Sequence, residues 1–108
     1  MAKHEPKVGD KLSLYTPCNN YWIAMVRRPY TIVSVNAKGT ECIARECELV
    51  FYGACYYDTI ADEIRENPDG ELVKLRWNEK RGRWQESPAG SYPRCADWCG
   101  WHHQPYLD

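Results

Sequence analysis

Between Tyr92 and Asp108 the chain places two cysteines, two adjacent histidines, two tryptophans and two tyrosines, its densest collection of chemically capable side chains. Cys95, Cys99, His102 and His103 fall within nine residues in the pattern C-x3-C-x2-H-H. Thiolate and imidazole are the ligands a tetrahedral Zn²⁺ prefers, so one loop could present three of them, with Cys18, Cys55 or His4 completing the set. The spacing is not the paired C-x2-C knuckle of a zinc ribbon. Cys42 and Cys47, on an expected strand, would face opposite sides of a sheet. Packed thiols with partly exposed histidines are the competing reading, because cysteine is among the most readily buried residue types. Zinc is the one cofactor these residues suggest, and none is certain.

The same side chains could serve as a thiol nucleophile: Cys95 or Cys99, with His102 or His103 as base and Asp97 or Asp108 orienting the ring. Nothing else in the chain supplies an oxyanion hole or a substrate cradle, so the expectation is a protein that is not an enzyme.

The elements that must carry this tail read as strands. The 108 residues suit a single domain, 1–108, with 1–7 flexible and 88–108 packed on or beside the main body. The aromatic content of 13% contains only one Phe, so the bulk comes from Trp and Tyr, which suit half-buried sheet faces and contact surfaces. Lys11–Tyr15 alternates, Tyr30–Val35 follows Pro29, and Thr40–Cys47 follows an Ala37-Lys38-Gly39 turn. Asn67-Pro68-Asp69-Gly70 is the strongest turn signal, with Gly70 expected to supply a positive φ. Beyond it, Val73, Leu75 and Trp77 alternate with Lys74 and Arg76, and a turn over 78–82 leads to Arg83-Trp84-Gln85. The spacing of Tyr57, Ile60, Ala61 and Ile64 predicts a short helix over Tyr57–Asn67, although the same letters also alternate tolerably as a strand. The fold class expected is mostly β, a small SH3-like barrel or strongly curved antiparallel sheet with at most one short helix. Trp22, Tyr30, Trp77 and Trp84 are candidates for its core.

The opening MAKHEPKVGDKL has no apolar run of signal-peptide length, and no later run would span a bilayer. The expectation is an intracellular protein whose six cysteines are free or metal-bound in preference to disulfide-bonded. Charge is segregated. Met1–Thr40 carries six bases against two acids, Glu41–Glu71 two against nine, and Leu72–Asp108 six against four. A protein that holds a duplex by neutralising phosphates shows a net basic domain or a long basic stripe, and here the middle third would repel one. Lys74, Arg76, Lys80, Arg81 and Arg83 remain a local basic cluster, read either as a solvated strand edge or as the groove of a small nucleic-acid-binding barrel.

Val8-Gly9-Asp10, Pro29-Tyr30-Thr31-Ile32-Val33-Ser34-Val35, the Asn67–Gly70 turn and Trp77-Asn78-Glu79-Lys80-Arg81-Gly82-Arg83-Trp84 occur here in one order. In that order they resemble small uncharacterised proteins encoded by phages and prophages, the resemblance running from Val8 to Trp84 with Trp77–Trp84 its most specific piece. It implies an SH3-like barrel start, an extended segment before the Asn67 turn, and residence in the cytoplasm of a host bacterium. It implies neither a catalytic residue nor a metal role for the tail, which departs from the family. It also implies a protein that binds one host protein, as inhibitors of host defence systems do. The residues that would make such a contact are Tyr52, Tyr56, Tyr57, Asp62, Glu63 and Glu66, aromatic anchors among acids suited to a basic partner surface, with Trp98 and Trp101 as further exposed aromatics.

Overall fold

The computed structural model describes residues 3–16, 27–52 and 61–102. Its strands are β1 (Lys11–Tyr15), β2 (Arg27–Val35), β3 (Glu41–Glu46), β4 (Glu48–Val50), β5 (Glu63–Arg65), β6 (Leu72–Asn78), β7 (Arg83–Glu86) and β8 (Cys95–Asp97). Strands β1-β2-β3-β6-β7-β8 close an antiparallel barrel, because β8 pairs back onto β1 with Ser13 opposite Asp97 and Leu14 opposite Ala96. Closure removes the open edges that a curved sheet would leave for aggregation. Strands β4 and β5 pair only with each other, as a two-stranded ribbon inserted between β3 and β6. The protein is thus an all-β, SH3-like small barrel, with no helix among the described residues.

Period-two alternation fills the interior. Leu12 and Leu14 of β1, Tyr30 and Ile32 of β2, Cys42 and Ala44 of β3, Val73 and Leu75 of β6 and Trp84 of β7 form one buried cluster, with Val35, Trp77, Ala96 and Trp98 packed against it. Strand β2 keeps both ends in this core by slipping register: Ile32 lies opposite Ala44, but Ser34 lies opposite Ile43 and Val35 opposite Cys42. Strict alternation would have turned Ser34 inward. The bulge at Val33 adds one residue, so Ser34 faces water and Val35 returns to the core. Tyr30 and Trp84 are buried as the composition predicts and Trp77 half-buried, whereas Trp22 lies outside the described residues.

Two expectations are corrected. The helix predicted over Tyr57–Asn67 is, in its described part, strand β5, with Ile64 opposite Leu49 and Glu63 opposite Val50. A helix of that length is marginal by itself, and pairing with β4 satisfies the same backbone groups. Residues 57–60 lie outside the description. Gly70 closes its turn with a bond from its N–H to the Asn67 carbonyl (3.0 Å), but it is not among the glycines with positive φ. Its requirement is space: a Cβ there would stand 2.0 Å from the Glu46 carbonyl oxygen at the end of β3.

The tail forms an outer layer on β1 and β2. Ser13, fully buried on the outward side of β1, donates its hydroxyl to the Gly100 carbonyl (2.7 Å) and accepts from the His102 backbone N–H (2.7 Å). The Trp101 indole N–H donates to the Tyr30 carbonyl (2.9 Å), and the Lys11 ammonium lies 4.3 Å from the Trp101 ring centre. At the neighbouring barrel opening His4 stacks on Trp98 at 4.0 Å while its carbonyl accepts the Trp84 indole N–H (3.0 Å), so the stretch before β1 is fastened over the core. Trp98 and Trp101, expected as exposed aromatics, are therefore packed and hydrogen-bonded parts of the barrel's cover.

Candidate functional site

The β4–β5 ribbon leaves the barrel where β3 ends and β6 begins, and it carries the first set of predicted contact residues. Tyr52, just after β4, is 63% exposed. Its hydroxyl donates to Glu63 and accepts from the Arg65 guanidinium (3.2 Å), and its backbone N–H donates to Asp62 Oδ2 (2.7 Å). Arg65 in turn grips both oxygens of Glu63, Nε to Oε1 at 2.8 Å and Nη2 to Oε2 at 3.0 Å. These donors, Arg65 first and Tyr52 second, pull the Glu63 carboxyl down to about 2. The tyrosine is thus presented to solvent in one fixed pose. Asp62 stands exposed beside it, and Glu48 and Glu66 stand exposed toward the ribbon's root. Tyr56 and Tyr57 lie outside the described residues.

Beneath the ribbon's root is a cluster that the sequence reading missed. Arg94 donates to Glu86 (Nη2 to Oε2, 2.8 Å), to Glu71 (Nη1 to Oε1, 3.2 Å) and to the Tyr30 hydroxyl (2.9 Å), and Tyr30 donates to Glu71 (3.3 Å). Burial pushes the Tyr30 phenol far up despite Arg94 beside it, while the Arg94 hydrogen bonds hold Glu86 below its ordinary value. The cluster ties β2, β7 and the start of β6 to the segment entering β8. Its one sequence signal was that Arg94 is the sole Lys or Arg after Arg83.

The basic cluster lies toward the far end of β6 and on β7, and it adjoins the Arg94 cluster at Glu86. On the outward face Arg76 stands opposite Gln85 and Asn78 opposite Arg83, with Lys80 and Arg81 in the turn between the strands. Lys74 is held to Glu41 (3.4 Å), but among the described residues no carboxylate lies within ion-pair distance of Arg76, Lys80, Arg81 or Arg83. Two adjoining clefts, of about 280 and 300 Å³, border this surface. Arg76, Trp77 and Lys80 line the first, Arg81 and Arg83 the second, and Gln85 and Ala89 lie between them.

Among the described residues the tail does not assemble its predicted metal ligands. Cys95 is sealed on β8, its thiol pushed up by burial. Cys99 is exposed, and its thiol is raised by a hydrogen bond with Asp97. The His102 side chain is also exposed, and His103, Cys18 and Cys55 lie outside the described residues. Among the described residues no three His, Cys, Asp or Glu side chains converge as a metal site would need, so a zinc held by Cys95, Cys99 and His102 does not fit. Cys42 and Cys47 face apart as their spacing predicts, Cys42 into the core with its thiol pushed up to about 12 by burial, and Cys47 against Thr31 (3.5 Å) on the outer side.

Among the described residues no helix is long and apolar enough to cross a membrane. Comparisons with protein-family models, with curated proteins and with solved structures found no match.

Proposed function

We propose that this chain is a non-catalytic binding protein of a phage or other mobile element, which docks on a host protein with a basic surface and acts as an inhibitor, of the kind that antagonises host defence. The observation that carries the docking reading is the fixed Tyr52, which follows β4 on the acidic ribbon. The residue is 63% exposed and its hydroxyl is locked by Glu63 and Arg65, so little side-chain freedom is lost when it enters a partner pocket. Glu48 and Glu66, which hold no ion pair among the described residues, stand on the same ribbon and would steer a positive partner and speed encounter. Against catalysis stands the state of the thiols: Cys95 and Cys99 are both shifted away from the thiolate that a nucleophile needs. The mobile-element origin, the inhibitory role and residence in the host cytoplasm rest on the sequence resemblance alone.

The test uses the full chain as bait in lysate of the host, treated with nuclease, with kinetics measured on the retained protein. Glu48→Lys with Glu66→Lys spares the Tyr52–Glu63–Arg65 bonds and should slow association and flatten its salt dependence. Tyr52→Ala should mainly speed dissociation, by about 2 kcal/mol if the ring is a hot spot. Capture and kinetics unaltered in both variants would sink the docking reading.

A further inference from the structure

We propose that the outward face of the β6–β7 hairpin is a second binding site, independent of the ribbon, which takes single-stranded nucleic acid. The grouping of the cations singles out this face: other unpaired bases, such as Lys7, Lys38 and Arg45, stand on separate segments. Arg27 is held by Asp97, Arg65 by Glu63, Lys74 by Glu41 and Arg94 by Glu86 and Glu71, so these bases serve the fold. Arg76, Lys80, Arg81 and Arg83 gather on one hairpin with no carboxylate in ion-pair reach among the described residues. Like charges gathered without counter-charges destabilise a surface, and a polyanion relieves that cost.

The shape favours one strand over two. The clefts share Gln85 and Ala89, so they adjoin across β7 with cations lining each. Each, at about 280 and 300 Å³, is at the lower end of the size range of small-ligand clefts. Trp77 borders the first cleft, although its ring packs on the core side, tilted against Trp84 at 6.0 Å, so the indole reports on this end of the hairpin without being a stacking platform of the outward face. Gln85 between the cations accepts from Arg83 Nε at 3.5 Å and keeps its amide NH2 to donate to a base edge. The opposing charges in the first cleft are Glu86, already satisfied by Arg94, and Glu79, which accepts from the Trp77 indole N–H. A duplex would present stacked bases that cannot enter such clefts, and its larger footprint would approach the acids of the ribbon end. The protein's net charge of −1 provides no general attraction, so binding must come from this local set.

The experiment is fluorescence anisotropy of the purified full chain with labelled fifteen-nucleotide oligo-dT and oligo-rU, and with a duplex of the same length. Four phosphate contacts on a single strand give a slope of log affinity on log salt of about −3, a loss of roughly 50-fold between 50 and 200 mM. Arg81→Glu with Arg83→Glu should weaken single-strand binding more than tenfold at an unchanged melting temperature, and Trp fluorescence should be quenched on binding by the wild type. Lys7→Glu with Arg45→Glu makes the same charge change elsewhere and should weaken binding less than threefold. Glu48→Lys with Glu66→Lys should leave it equal or tighter, which separates this site from the ribbon. Absence of single-strand binding at 50 mM salt, equal or tighter binding of the duplex, or equal losses in the two double arginine or lysine variants would overturn the proposal.

Discussion

Gly70→Ala should be far more damaging than its place in an exposed turn suggests. The added Cβ would stand 2.0 Å from the Glu46 carbonyl oxygen and 3.0 Å from its carbon, and both are backbone atoms that no rotamer change can move. Relief requires about 1 Å of separation between the end of β3 and the start of β6. That is where the Glu46 N–H donates to the Glu71 carbonyl at 2.8 Å and the Arg45–Leu72 pair begins the ladder. Forcing extra volume into a packed site costs about 1–3 kcal/mol and the lost hydrogen bond about 1 more, while reduced freedom of the unfolded chain returns about 0.4–1. The net is about 1–3.5 kcal/mol, or roughly 5–20 °C in melting temperature for a chain of this size. Gly82→Ala is the control: Gly82 has a φ of +64° and open space around it, so alanine meets backbone strain alone, worth about 1–2 kcal/mol. Urea unfolding of both variants, followed by Trp fluorescence, gives the comparison. A Gly70→Ala protein within 0.5 kcal/mol of wild type, or less damaged than Gly82→Ala, would refute the close-approach argument.

Ser13→Ala strips the hydroxyl that bridges Gly100 and His102, so hydrogen exchange at His102 should accelerate and stability fall by about 1–2 kcal/mol, as measured by exchange mass spectrometry and urea unfolding. The Arg94 cluster predicts an acid-sensitive barrel. Glu86 is held below its ordinary value of 4.5 by Arg94, so the unfolded chain binds the proton more readily; the stabilisation is complete above that value and drains away as pH falls through the lower folded one. Urea midpoints measured across the acid range should show this decline, and Glu86→Gln should be less stable at neutral pH with a shallower decline.

The local content of this protein was legible in its sequence because strands and tight turns are short-range features. Alternation alone placed Val73, Leu75 and Trp77 opposite Lys74 and Arg76, and the Asn67–Gly70 and Asn78–Gly82 signals marked real turns. The segregation of acids before Glu71 from bases after it already implied two unlike surfaces, since residues near in sequence on a small barrel stay near in space. Tertiary structure decided the rest. Glu63–Arg65 fits helical and extended spacing alike, and only its pairing with β4 selects the strand. Gly70 looked like a residue chosen for its dihedral freedom, but the constraint comes from Glu46, which lies 24 positions earlier in the chain. Cys95 and Cys99 looked like partners at a separation of four, yet β8 seals one thiol and the loop exposes the other. Arg94 carried almost no signal, because its meaning depends on three strands bringing Tyr30, Glu71 and Glu86 to one point. Sequence fixes which side chains a short segment can present, while the ladder register across the barrel fixes which of them meet.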